Sequence, residues 1–165
     1  MIIRSEREPD MPAIHAVNAA AFGRTAEADL VDQLRRDGVV VASLVAEDAG
    51  AIVGHILFSR LVIEVAGTSV HAVALAPMAV MPSRQRQGIG TALVRAGLDA
   101  CRAQGETIAI VLGYPEFYPR FGFSTALTAR LESKYRGPAF HALELVPAAL
   151  AGVEGAVRYP SAFGA

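Results

Sequence analysis

Residues Leu75–Gln104 read LAPMAVMPSRQRQGIGTALVRAGLDACRAQ, and the fold is decided there. The apolar run Leu75–Met81 has strand character and ends at Pro82. Ser83-Arg84-Gln85-Arg86-Gln87 is polar, and Gly88-Ile89-Gly90 opens a helical pattern. Ile89, Ala92, Leu93, Ala96, Gly97 and Ala100 recur on one helical face. A strand therefore passes through a glycine-bearing turn into a helix start. The first N–H groups of a helix have no intrahelical partner and carry the positive end of its dipole. Glycines at 88 and 90 remove side chains that would hold a ligand off. Such a turn suits a phosphate or pyrophosphate, although Gly-x-Gly alone is equally a tight connection. Two nucleotide signatures fail here. Gly90 is followed by Thr91 with no P-loop lysine, and Leu93 stands where a dinucleotide fingerprint needs a small residue.

Outward from this stretch, the chain reads as one mixed α/β domain spanning residues 1–165. Hydrophobic residues make up 53 %, which excludes a disordered chain. A formal net charge of −1 argues against nucleic acid as the main partner. The single Cys101 rules out an intramolecular disulfide and a cysteine-rich zinc site. No secretory signal and no run of about 18 apolar residues is present, so a cytoplasmic protein without a membrane partner is the expectation.

Ile2-Ile3-Arg4 predicts an edge strand. Asp10 or Pro12 starts a helix to about Phe22, with Ile14, Val17, Ala21 and Phe22 on its apolar side and His15 and Asn18 on or beside its polar face. Thr25 is placed to cap a second helix, Ala26 to about Arg36, with Leu30, Val31 and Leu34 inward and Glu27 in its first turn. Val39–Glu47, Ala51–Val65 and Thr68–Val80 are three strands joined by turns at Asp48-Ala49-Gly50 and Gly67, hence an antiparallel meander. Gly105 closes the long helix, and Thr107–Leu112 is a buried strand reached by a parallel crossover. Residues 126–135 show little periodicity; Ala139–Leu145 and Val153–Tyr159 are further strands. His55 and His71 could pair as metal ligands, but no third or fourth ligand stands at suitable spacing, so no metal is expected.

The pattern Gln85-x-x-Gly88-x-Gly90 after a strand resembles the acetyl-CoA-binding motif of the GNAT N-acetyltransferase superfamily. Tyr118-x-x-x-Gly122-Phe123, just after the strand Thr107–Leu112, is similar to the second recurrent motif of that family. The wording of both motifs and the closing Val157-Arg158-Tyr159-Pro160 look most like the YhbS-like branch.

The resemblance implies the GNAT acyl-CoA N-acyltransferase fold. That fold has a central, mostly antiparallel sheet with a parallel splayed pair at the cofactor site, flanked by helices. It implies acetyl-CoA as acyl donor and an amine acceptor, either a small molecule or a protein, and it leaves a homodimer open. By the same resemblance Gln85, Arg86, Gln87, Gly88, Ile89, Gly90 and Thr91 bind the cofactor, the pyrophosphate sitting on the backbone N–H groups from Arg86 to Thr91, with Arg84 and Arg86 adding charge. Met78, Ala79 and Val80 offer backbone groups to the pantetheine. Tyr118 is the implied acid for the departing thiolate; its alternative is a buried packing tyrosine. The general base is open. Where some relatives carry a glutamate this chain has Ala74, leaving Glu64, His55, Glu116 or water. Arg120, Arg158 and Tyr159 are implied neighbours of the acceptor, and so is the region of the first two helices, where Glu27 or Asp29 is either a substrate contact or a solvated helix end. A non-catalytic acyl-CoA-binding sensor is the competing expectation.

Overall fold

A computed structural model describes residues 1–164. Strand β1 (Ile2–Ser5) is followed by helices α1 (Met11–Phe22) and α2 (Ala26–Arg36). Strands β2 (Val40–Asp48), β3 (Ala51–Val65) and β4 (Thr68–Val80) come next, then helix α3 (Ile89–Ala103) and strand β5 (Ile108–Leu112). The chain ends with β6 (Leu131–Glu132), β7 (Phe140–Glu144) and β8 (Gly155–Arg158). One sheet holds all the strands in the order β1-β2-β3-β4-β5-β7, with β8 pairing β3 and β6. The expected meander β2-β3-β4 is antiparallel, and β4 meets β5 in parallel across the α3 crossover. This is the GNAT acyl-CoA N-acyltransferase fold, with helices on both faces of the sheet.

Alternation along each strand sorts side chains between two faces. One face is covered by α3, whose Leu93, Val94, Leu98 and Cys101 bury against Phe58, Val73, Ala109 and Val111. Each large side chain buried there contributes roughly 1.5–3 kcal/mol of apolar transfer. Gly97 lets the helix come close, since a Cβ there would lie 2.4 Å from the Phe58 ring. On the opposite face Ile14, Val31 and Leu34 of the α1–α2 pair lie on Val45 and Leu57. The C-terminal segment covers the rest of that face, with Leu131, Leu150 and Val157 against Leu61, Ile63, Ala72, Ile108 and Phe140.

The α1–α2 pair is also pinned by a polar chain. Arg35 of α2 donates to Glu6 at 2.9 Å from both Nε and Nη2. Ser43 of β2 donates to the same carboxylate. His55 of β3 lies 2.8 Å from Ser43 Oγ through Nε2 and 3.1 Å from Asn18 Nδ2 through Nδ1. Asn18 Nδ2 also donates to the Ile14 carbonyl at 3.0 Å. The carboxylate only accepts, so the Ser43 proton points to Glu6. His55 then donates from Nε2 and accepts at Nδ1, a single neutral tautomer. Complete burial holds the imidazole down to about 4, against the pull of Glu6 and with the push of Arg35. Burial works against the Glu6 carboxylate, but Arg35 and Ser43 hold it below the usual range.

Several sequence expectations are corrected here. Asn18, expected at the polar face of α1, is fully buried because His55 gives its amide a partner inside. The segment without periodicity holds the two-residue strand β6. The expected last strand is present as β8 and lies beside β3, with Ile63 opposite Val157.

Candidate functional site

The turn from Met81 into α3 is shaped by two left-handed residues, Arg86 at φ 62 and Gly88 at φ 83. Such turns direct successive N–H groups into a concave nest. Ala92 is the first helical residue whose N–H is used, donating to the Gly88 carbonyl at 3.1 Å. Among the described residues, no backbone or side-chain acceptor takes the N–H groups of Arg86, Gln87, Gly88, Ile89, Gly90 or Thr91. Six consecutive donors are therefore without a protein acceptor at the positive end of a 15-residue helix. Gly90 lies close to β4, where a Cβ would sit 3.3 Å from the Met78 methyl.

Two motif side chains help build this turn. Gln85 donates from Nε2 to the Val80 carbonyl at 3.2 Å and so staples the turn to the end of β4. Gln87 accepts from Arg84 at 3.1 Å, and its side chain is outside the groove described below. Arg84 also reaches Asp48 at 2.8 Å and holds that carboxyl below its usual range. Arg86 carries no side-chain partner among the described residues and lines the groove.

Beside the turn, the parallel pair opens. Pairing of β4 with β5 runs only from Val73–Ala109 to Leu75–Val111. Beyond it β5 stays with β7, with Leu112 opposite Phe140, and Gly113 N–H donates to the Ala139 carbonyl at 2.9 Å. The far end of β4 stays with β3, Met78 opposite Ile56 and Ala79 opposite His55. Met81 N–H donates to Val53 on β3, so strand alternation turns the polar groups of Met78 and Val80 into the gap. Ala79 is the correction. Its period puts its polar groups on β3, its side chain is buried, and it does not line the groove.

Gap and turn form one groove of about 1170 Å³. Met78, Val80, Gln85, Arg86, Gly88, Ile89, Gly90 and Thr91 line it, and so does Tyr118. The Tyr118 ring packs edge-on to Phe117 at 5.0 Å and to Phe123 at 5.7 Å. It lies over Gly113, where a Cβ would be 2.0 Å from the ring, so that glycine is what admits the tyrosine. Its hydroxyl has no hydrogen-bond partner among the described residues, and burial, then Tyr114, pushes the phenol up to about 12. The group is thus a neutral donor with its proton uncommitted.

The groove's other lip is the α1–α2 turn, contributing Phe22, Glu27 and Leu30. Phe22, expected inward, is 41 % exposed there. Glu27 accepts from Arg24 at 2.8, 3.2 and 2.6 Å, which holds it anionic below its usual range. Helical periodicity marks Phe22 and Leu30 as apolar, but it carries no sign that they face a groove.

Of the residues weighed as a base, only Glu116 lines the groove. His55 is sealed in the polar chain, and Ala74 is core. Glu64 lies at the opposite end of the sheet, 3.3 Å from Arg158. That removes Arg158 from the acceptor side. Tyr159 is removed too, because its ring packs on Tyr135 and Phe163. Arg120 does line the groove, its guanidinium 4.9 Å from the centre of the Phe117 ring. His55 and His71 share no site. The ligand atoms of His15, Asp29 and Asp32 do lie within 4.8 Å of one another on the α1–α2 surface, outside the groove.

Residues 2–126 match the acetyltransferase (GNAT) domain family. The uncharacterized N-acetyltransferase YhbS of Escherichia coli K12 is 38 % identical, covering 99 % of this chain and 98 % of that protein. The crystal structure of Escherichia coli YhbS in complex with CoA superposes with a TM-score of 0.91 at 37 % identity, covering 99 % of this chain and 92 % of that one. A GNAT family acetyltransferase from Brucella melitensis in complex with acetyl-CoA gives 0.83 at 35 %, covering 98 % and 97 %.

Proposed function

Since the chain belongs to the YhbS-like branch of the GNAT N-acetyltransferase superfamily, we propose that it binds acetyl-CoA and passes the acetyl group directly to a primary amine. The observation that carries this reading is the row of six free N–H groups, Arg86 to Thr91, opening onto a split strand pair. The pyrophosphate suits the row of donors, with Arg86 adding charge. The pantetheine suits the open edge of β4, where Met78 and the Val80 N–H would receive its amides as a sheet receives an added strand.

The chemistry follows from that seating. The acceptor nitrogen attacks the thioester carbonyl, and the Met78 N–H suits the oxygen that becomes negative. The C–S bond then breaks, and Tyr118 gives its proton to the departing thiolate. The proton lost by the amine restores the phenol, so amine and acetyl-CoA leave as amide and CoA thiol. The attacking amine must be neutral. With reference values of about 10.4 for a lysine-like amine and 7.7–8.0 for an α-amine, roughly one in 2,500 of the first is neutral at pH 7, and roughly one in eight of the second. Both a small molecule and a protein amine meet this chemistry.

Ala74, in place of the glutamate of some relatives, favours a second reading, an acyl-CoA-binding module without turnover. A broad amine screen separates them. Calorimetry would first establish acetyl-CoA binding, and thiol release with mass detection of acetylated product would follow. Acetylated amine supports the transfer. Tight acetyl-CoA binding with no product from any amine would replace it by the second reading.

A further inference from the structure

The two lips of the groove differ, and the α1–α2 lip says what kind of amine it takes. Seven large apolar side chains are exposed among the described residues, and three of them, Phe22, Leu112 and Tyr114, open into this one groove. Leu30, one helical turn from Glu27, lines the groove with Phe22 on the α1–α2 lip. Phe22 stands one turn above Asn18 on α1, and Asn18 is bonded to His55 at 3.1 Å and to the Ile14 carbonyl at 3.0 Å. The helix that carries Phe22 is therefore anchored beneath the groove, and the lip presents an apolar face to it.

Its charge points the same way. Glu27 is the one carboxylate that α2 puts into the groove, and Arg24 already holds it through three contacts. Asp29 and Asp32 of the same helix turn to His15 and Arg35 outside it. The groove wall as a whole carries Arg84, Arg86 and Arg120 against Glu27 and Glu116. A polycation needs several free carboxylates to offset its desolvation, and here it would meet one, Glu116, with Arg120 beside it.

We infer that the acceptor is a monoamine whose amino group is borne on an apolar or aromatic skeleton, seated against Phe22 and Leu30. This assignment rests on the acetyl-transfer reading of the groove and narrows it.

The test compares 2-phenylethylamine, ethanolamine and spermidine as acceptors at saturating acetyl-CoA, with wild type, Phe22→Ala and Leu30→Ala. Thiol release and product mass would be recorded, and CoA affinity measured by calorimetry. The expected order of kcat/KM is 2-phenylethylamine above ethanolamine by at least about tenfold, with spermidine lowest. Phe22→Ala should cut the preference for 2-phenylethylamine over ethanolamine by roughly tenfold, through KM, with CoA affinity unchanged. Leu30→Ala should move it the same way, less far. Preference for spermidine or ethanolamine in the wild type would overturn the assignment while leaving acetyl transfer standing. So would an unchanged preference in a folded Phe22→Ala variant. No acetylated product from any amine on protein that binds acetyl-CoA would overturn the acetyl-transfer reading, and this assignment with it.

Discussion

Tyr118→Phe is the substitution that separates chemistry from packing. The variant keeps the ring, and with it the edge-on contacts to Phe117 and Phe123 and the seat over Gly113. The hydroxyl it removes has no protein hydrogen bond to lose, so stability should change by less than about 0.5 kcal/mol, roughly 1–2 °C in melting temperature for a chain of this size. Acetyl-CoA affinity should hold as well, because the ground-state thioester has no negative charge for the phenol to meet. Turnover is different. Loss of a general acid costs about 10²–10³-fold, or roughly 2.7–4.1 kcal/mol of barrier at 1.36 kcal/mol per decade. Burial pushes the phenol up to about 12, so it stays protonated to pH 10 and beyond, and no alkaline limb below that should belong to it. The defect should shrink with acyl donors whose leaving thiol is more acidic, since that thiolate departs with less help. The assay is steady-state thiol release at two leaving-group acidities, beside calorimetry with CoA and a thermal melt. A Phe variant of undiminished turnover would refute the acid assignment. A variant that melts several degrees lower, with a modest rate loss indifferent to the leaving thiol, would make Tyr118 a packing residue.

Gly90→Glu should cost more than a hundredfold in CoA affinity, because its carboxylate enters the nest and repels phosphate. The fold should survive: the nearest neighbour is the flexible Met78 methyl, and an anion near a helix N-terminus is stabilising by about 0.3–1 kcal/mol. Unchanged affinity by calorimetry in a folded variant would place the phosphates elsewhere. His55 predicts acid lability. The unfolded imidazole takes a proton near pH 6.5 and the folded one only near 4, so its contribution is complete above 6.5 and lost as pH falls toward 4. Two and a half units amount to roughly 3 kcal/mol. Urea unfolding across that window should show this slope, and His55→Gln, which keeps one donor and one acceptor, should flatten it. An equal slope in the Gln variant would assign the lability to the carboxylates.

Local pattern made much of the fold legible. The bounds of α2, β3 and β4 agree with the sequence reading because helical periodicity, two-residue turns and alternation are near-neighbour properties, although Thr25 makes no side-chain cap at the start of α2. The parallel β4–β5 pair was legible through crossover chemistry, and its opening through the resemblance. What was not legible depends on partners distant in sequence. Val157 pairs with Ile63 some ninety residues away, so Arg158 and Tyr159 could not be placed from their own neighbourhood. Asn18 looked solvent-facing because nothing within α1 announces the His55 ring across the interface. Ala79 failed for a smaller reason: the reading treated three consecutive residues as one edge, whereas a strand turns every second residue away. Phe22 and Leu30 were recognisable as apolar, but which side of a helix becomes a groove lip is set only when two helices and a sheet meet.

The brevity of the β4–β5 pairing has a consequence for the order of events. Three register pairs hold the strands, and past Leu75 the floor of the groove is main chain awaiting a partner. On the acetyl-transfer reading, an acceptor that arrives first finds no electrophile and a cleft without its central wall. Acetyl-CoA arriving first supplies both, completing the sheet with its own amides and leaving only the α1–α2 side open. The amide product then leaves through that open side while the coenzyme is still laced to β4. On that reading hydrogen-bond valence alone would set the order, donor first and coenzyme last, with no moving part required to enforce it.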